Sequence, residues 1–191
     1  QLEVSWNPQA PQAHKDVMEE LELNTTLANG NSYGENMTLA GQAGSTYSTR
    51  TQALQAIIDG CIDIADEVGT SKIGKPHTGD DPTYVESPYS QNSISDFFDN
   101  ITSVKSAYMG GIETERDNDL SVHHYLRDFN AEMDTKVINA IDKALEKINN
   151  MKAPFVLNYR DASAGEAMEA CQELSDVLDE AKVEVGKIDR K

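Results

Sequence analysis

The chain has 191 residues and carries 33 Asp plus Glu against 16 Lys plus Arg, a formal charge of −17. That length suits one ordinary domain, which can bury a core without a disulfide or a metal. So acidic a surface disfavours nucleic acid and anionic membranes, both of which are held by exchange of cations for counterions, and leaves cations and basic partners compatible.

Residues 9–23 (QAPQAHKDVMEELEL) read as a short helix with Val17, Met18 and Leu21 on one side. From Asn24 to Tyr47, Asn, Gly, Thr and Ser dominate, which predicts a long polar loop with room for one short helix. Ser48 or Thr49 can cap a helix running to Val68, because Leu54, Ile57, Ile58, Cys61, Ile62 and Ala65 recur at steps of three and four. Gly69 is expected to end that helix, and residues 69–90, with three prolines and three glycines, to form an irregular connection.

The next helix is expected from Asn92 or Ser93, with Ser93 and Asp96 as a capping box and Phe97, Ile101, Val104 and Tyr108 as its buried stripe. Gly110-Gly111 stops it. A short helix follows Asp119, and Asn130 caps a long one with Met133, Val137, Ile141, Ala144, Leu145 and Ile148 facing inward. Ser163 and Glu166 read as the capping box of a last helix with Cys171, Leu174, Val177, Leu178, Ala181 and Val185 as its seam. No stretch alternates in the manner of a strand. The fold class is therefore all-α, an antiparallel bundle of helices at 48–68, 92–109, 131–150 and 163–186. Residues 1–47 are expected to join residues 48–191 as an N-terminal helix and loop of the same domain.

No run approaches the roughly 18 consecutive apolar residues of a membrane span. Residues 1–6 are not a signal peptide, and with no initiating Met the chain reads as a piece whose address lies elsewhere. Cys61 and Cys171 both fall on apolar helical stripes; two buried thiols or one bridge are both open.

Familiar catalytic signatures are missing: there is no Gly-rich phosphate loop, H-E-x-x-H, Cys-x-x-Cys or G-x-S-x-G. His77 and Asp80 (HTGD) could offer ligands to a divalent cation, although Asp and Gly are also what a turn needs. His123 and His124 point about 100° apart on a helix, so they do not share a metal readily. Asp59, Asp63, Asp66 and Glu67 line one helix face, as a solvated face would. Three Asn-x-Thr triplets, at Asn24, Asn36 and Asn100, read as chance. The densest polar stretch is Tyr84 to Gly111, where Glu86, Ser87, Ser90, Asn92 and Ser93 crowd a helix start. Several can be caps, but Glu86 lies too far ahead of the helix for that and is a candidate to face a cleft.

That stretch, VESPYSQNSISDFFDNITSVKSAYMGG with KIGKP ahead of it, resembles the C-terminal half of imelysin-like proteins, in particular Bacteroidetes lipoprotein forms. The resemblance implies an all-α fold of two bundle-like halves with a functional cleft between them. It also implies location in the bacterial cell envelope, periplasmic or lipid-anchored, and a link to iron or haem uptake. The family was first classed as metallopeptidases. Its Gly-x-His-x-x-Glu motif belongs to the other half and is absent from this sequence, so this chain is expected to hold a ligand rather than to cleave one. On the matching positions, Glu86, Ser87, Asp96, Asn100 and Tyr108 are the expected cleft residues, with Glu86, His77 and Asp80 as ligands of a divalent or iron cation. The expected partner is the N-terminal half or another envelope protein, with membrane contact only through an anchor outside this chain. A metallopeptidase fragment and a purely structural helical domain are the competing readings.

Overall fold

The computed structural model describes every residue except 8, 80, 115, 117–120 and 189–191. Among the described residues there is no strand, and the chain divides into two compact units, Gln1–Leu54 and Gln55–Lys191.

The first unit holds α1 (Leu2–Trp6), α2 (Gln12–Glu20) and α3 (Tyr33–Thr38), and the start of α4. The polar loop is organised by one side chain. Asn36 is fully buried, accepts from Asn29 Nδ2 (2.8 Å) and from the backbone N–H of Thr46 (3.0 Å), and donates to the Ser32 carbonyl (2.9 Å). Burial of this amide removes Asn36 as a glycosylation acceptor. Ser32 and Glu35 close a reciprocal capping box at the start of α3, and Trp6 stacks on Tyr33 with ring centroids 5.6 Å apart. No residue of α2 is buried, so its apolar side covers little.

The second unit is the bundle. Its long helices are α4 (Arg50–Asp66), α6 (Ser93–Met109), α8 (Ala131–Asn149) and α10 (Ala162–Val185), with short α5 (Lys75–Thr78), α7 (Val122–Phe129) and α9 (Phe155–Asn158) between them. The pairing residues show how the helices run. Lys136 meets Glu180, Lys143 meets Glu173 and Lys147 meets Glu166, so α8 and α10 are antiparallel. Tyr108 with Asp134 and Lys105 with Asp142 make α6 and α8 antiparallel. Cys61 Sγ reaches the Val104 carbonyl across α4 and α6, and Asp59 pairs with Lys182 of α10. An up-down-up-down bundle results. The exposed pairs each contribute well under about 1 kcal/mol, so the apolar seam decides stability. That seam includes Ile58, Ala65, Phe97, Ile101, Val137, Ile148, Leu174 and Leu178, all buried, with Phe155 edge-on to Phe97.

Three local expectations are corrected. Gly69 does not end the helix that starts at α4; the chain continues as a π-helical segment, Glu67–Gly74, and then as α5. The last helix is capped by Asp161, which accepts from Ser163, while Glu166 reaches Lys147 instead of closing a capping box. At α6 the N-cap is Asn92 without a side-chain bond, because Asp96 accepts from Ser87. Thr49 and Asn130 cap as expected, accepting from the backbone N–H of Gln52 and Met133.

Candidate functional site

The site is built from the π-helical segment, the connection 83–87 and the first turns of α6. A π turn bonds residue i to i+5, so residues five apart stack along one side. Val68 with Ile73 and Gly69 with Gly74 follow that interval, and all four are buried. Both glycines are needed at close range. A Cβ on Gly74 would lie 2.7 Å from the Gly69 carbonyl oxygen, and one on Gly69 would lie 3.1 Å from Cβ of Cys171 in α10. Glu67 and Lys72, at the same interval, line one concavity.

Lys72 is the residue on which the cluster converges. Its side chain is only 16% exposed, and Nζ donates to Asn100 Oδ1 of α6 at 2.8 Å. The same ammonium lies 3.4 Å from Glu86 Oε1 and 3.2 Å from Oε2. Oε2 is shut off from solvent and accepts no hydrogen bond of good geometry, although the Glu86 side chain as a whole is 39% exposed. Beside it, Ser87 Oγ donates to Asp96 Oδ2 at 2.5 Å, and Ser93 Oγ donates to the Glu86 carbonyl. Ser87 has φ +53°, a left-handed conformation that a non-glycine residue adopts at a cost and that is over-represented at functional sites. A concavity of about 370 Å³ opens over this cluster, lined by Glu67, Lys72, Thr83, Tyr84, Val85 and Glu86. Its size lies within the range of small-ligand sites. A second concavity, of about 500 Å³, lies in the first unit, but Ser32, Glu35 and Asn24 on its wall are engaged in a capping box and a local turn.

Four of the expected cleft residues, Glu86, Ser87, Asp96 and Asn100, therefore come together. Tyr108 does not join them. It is fully buried two turns further along α6, where its hydroxyl donates to Asp134 Oδ1 at 2.7 Å. The same oxygen takes His123 Nδ1 at 2.8 Å, so one buried carboxyl ties α6, α7 and α8 together. Burial first, and then Asp134, push the Tyr108 phenol well above its usual range.

The expected cation set is not assembled either. His77 Nδ1 pairs with the Tyr159 carbonyl at 2.8 Å, its ring packs against Gly165 of α10, and Glu86 faces an ammonium. Asp80 lies outside the described residues. Among the described residues no three His, Cys, Asp or Glu side chains are grouped so as to hold a metal ion. Both cysteines are free and buried, and burial raises their thiols, Cys61 to about 11 and Cys171 to about 12.

Sequence reasoning gives no site role to Lys72, Thr83, Tyr84 or Val85, in the case of Lys72 because Gly69 reads as a helix stop. The signal available was the apolar-glycine pair Val68-Gly69 repeated five residues on as Ile73-Gly74.

Comparison with known proteins agrees with this fold. The imelysin family model matches residues 7–181. The crystal structure of an imelysin peptidase from Bacteroides ovatus superposes with a TM-score of 0.72 at 32% identity, covering 81% of this chain and 45% of that one. A putative iron-regulated protein A precursor from Parabacteroides distasonis gives 0.70 at 33% identity, covering 81% and 47%. Iron-regulated protein A of Synechococcus elongatus is 37% identical over 71 residues, 37% of this chain and 20% of that protein. The chain thus spans less than half the length of these relatives. With its all-α bundle and a family match over nearly its whole length, the chain belongs to the imelysin family.

Proposed function

We propose that this chain is a non-catalytic, ligand-holding domain of an iron-linked protein of the bacterial cell envelope. The iron link is supported by two relatives whose names describe iron-regulated proteins, and export by one described as a precursor. The concavity at Lys72 and Glu86 forms one wall of a ligand cleft, and the other wall is supplied by residues present in the longer relatives or by another envelope protein. The observation that carries this reading is the convergence of Lys72, Glu86 and Asn100, with Ser87 and Asp96 beside them, beneath an open concavity of ligand size. A cluster built only for capping would place its polar groups on free helix N–H groups. Here Glu86 and Asn100 both accept from Lys72 instead, and Ser87, with a left-handed backbone, donates to Asp96.

A bare metal ion does not fit these residues: the Glu86 carboxylate is matched by an ammonium, and among the described residues no three His, Cys, Asp or Glu side chains are grouped to hold one. The family's peptidase chemistry needs a metal-activated water and a base nearby. The described residues supply no ligand set for it, so no catalytic step is assigned.

Isothermal calorimetry on the whole chain tests the reading, with ferrous, zinc and calcium salts, haemin and ferric citrate as probes. Heat from at least one probe should disappear in Thr83→Trp, which fills the mouth from an exposed position while leaving the melting temperature unchanged. No heat from any probe, or heat that Thr83→Trp leaves intact, would remove the concavity from consideration.

A further inference from the structure

We infer that the concavity selects a ligand presenting an anionic oxygen, a carboxylate above all, and discriminates against bare cations, with Lys72 as the residue that decides. This deepens the ligand-holding reading and rests on it.

The argument starts from donors and acceptors. A lysine ammonium has three N–H donors and no acceptor. Lys72 directs one toward Glu86 and one to Asn100, which leaves one without an acceptor among the described residues, and Lys72 lines the concavity. A second ammonium stands nearby, Lys75 Nζ, 4.5 Å over the ring of Tyr84, itself a lining residue. On the acceptor side, Glu86 is ion-paired with Lys72, Oε1 accepting its hydrogen bond and the enclosed Oε2 lying 3.2 Å away without one, and Glu67 is exposed, where water and salt screen it. A cation would have to compete for Glu86 with an ammonium only 16% exposed, the other carboxylate on the wall being the solvent-screened Glu67. An anionic oxygen completes the hydrogen bonding of Lys72 without displacing anything, in the charge-assisted form that is stronger than a neutral bond.

The backbone makes this arrangement rigid. In a continuous α-helix residues 67 and 72 would point roughly 140° apart, at about 100° per residue. The π turn brings both into one concavity. Gly74 sits against the Gly69 carbonyl and Gly69 against Cys171, so a side chain at either position would push the turn off its neighbour. Lys72 is thereby held facing Asn100 and not left to swing in solvent. Any iron taken up here would arrive as an anionic chelate.

The test is calorimetry of the whole chain with citrate, ferric citrate, calcium chloride and ferrous sulfate under argon. Citrate and ferric citrate should bind, the two bare salts should not, and Lys72→Met should weaken citrate at least about tenfold, equivalent to about 1.4 kcal/mol. Lys72→Arg should retain most of the affinity. Because Lys72→Met alone strands Glu86, the doubly neutral Lys72→Met/Glu86→Gln variant provides a foldable control and should lose citrate equally. Citrate binding unchanged in that double variant overturns the inference. So does calcium or ferrous binding to the unsubstituted chain, in which case the ligand-holding reading stands while the charge preference falls. Silence of all four probes overturns the inference, and the ligand-holding reading falls with it when zinc and haemin are silent too.

Discussion

The buried carboxyl of Asp134 offers the sharpest energetic test of how the bundle is held. Tyr108→Phe deletes one oxygen and leaves the ring in a fully buried slot, so packing is kept and only the 2.7 Å bond to Asp134 is lost. Bonds to charged groups contribute roughly 1.5–3 kcal/mol. Asp134 retains His123 on the same oxygen, which places the expected loss near the lower end, at about 2 kcal/mol. For a chain of this size that lowers the midpoint by roughly 4–8 °C. Urea unfolding followed by circular dichroism at 222 nm measures the free energy, and a scanning melt measures the midpoint. His123→Ala in the Tyr108→Phe background then leaves a carboxyl only 3% exposed with neither donor. The double loss should therefore exceed the sum of the single losses by about 1 kcal/mol. A Tyr108→Phe effect below about 0.5 kcal/mol would refute the view that this network joins three helices, since that is the scatter of an ordinary surface change.

Gly74→Ala forces a methyl group to 2.7 Å from the Gly69 carbonyl oxygen and should cost roughly 1–3 kcal/mol as overpacking; an unchanged urea midpoint would show that the π turn yields freely. The two buried thiols, raised to about 11 and about 12, stay protonated in the folded chain when unfolded thiols near 9 have begun to ionise. Their contribution is complete below pH 9 and is lost as pH climbs toward 11–12. Stability measured in urea should accordingly fall across that window, and a Cys61→Ala/Cys171→Ala variant should show a flatter profile. Neither thiol should react with a disulfide reagent at pH 8 until the chain is unfolded; rapid labelling of the native protein would contradict their burial. Asn130→Ala removes the cap of α8, which accepts from the backbone N–H of Met133 at 3.1 Å, and should cost about 1 kcal/mol by chemical denaturation.

The periodic stripes of the four long helices determined the bundle: Phe97, Ile101, Val104 and Tyr108, or Leu174, Val177, Leu178 and Ala181, can be sheltered only by neighbouring helices, whatever the connections do. The same local information brought Glu86, Ser87, Asp96 and Asn100 to notice, because all four lie within fifteen residues around one helix start. Tertiary structure alone decided the rest. Tyr108 carries the same stripe periodicity whether its hydroxyl meets a ligand or a buried Asp134, and only the packing of α6 on α8 selects between them. Whether Gly69 stops a helix or lets it approach another depends on α10, more than a hundred residues away, since the missing side chain matters through the closeness of Cys171. That approach produces the π turn, and the turn brings Lys72 to Glu86 and Asn100 across separations of 14 and 28 residues. Local pattern is written in neighbouring residues, whereas an ammonium meeting a carboxylate through a fold is a property of distances that no stretch of the chain contains.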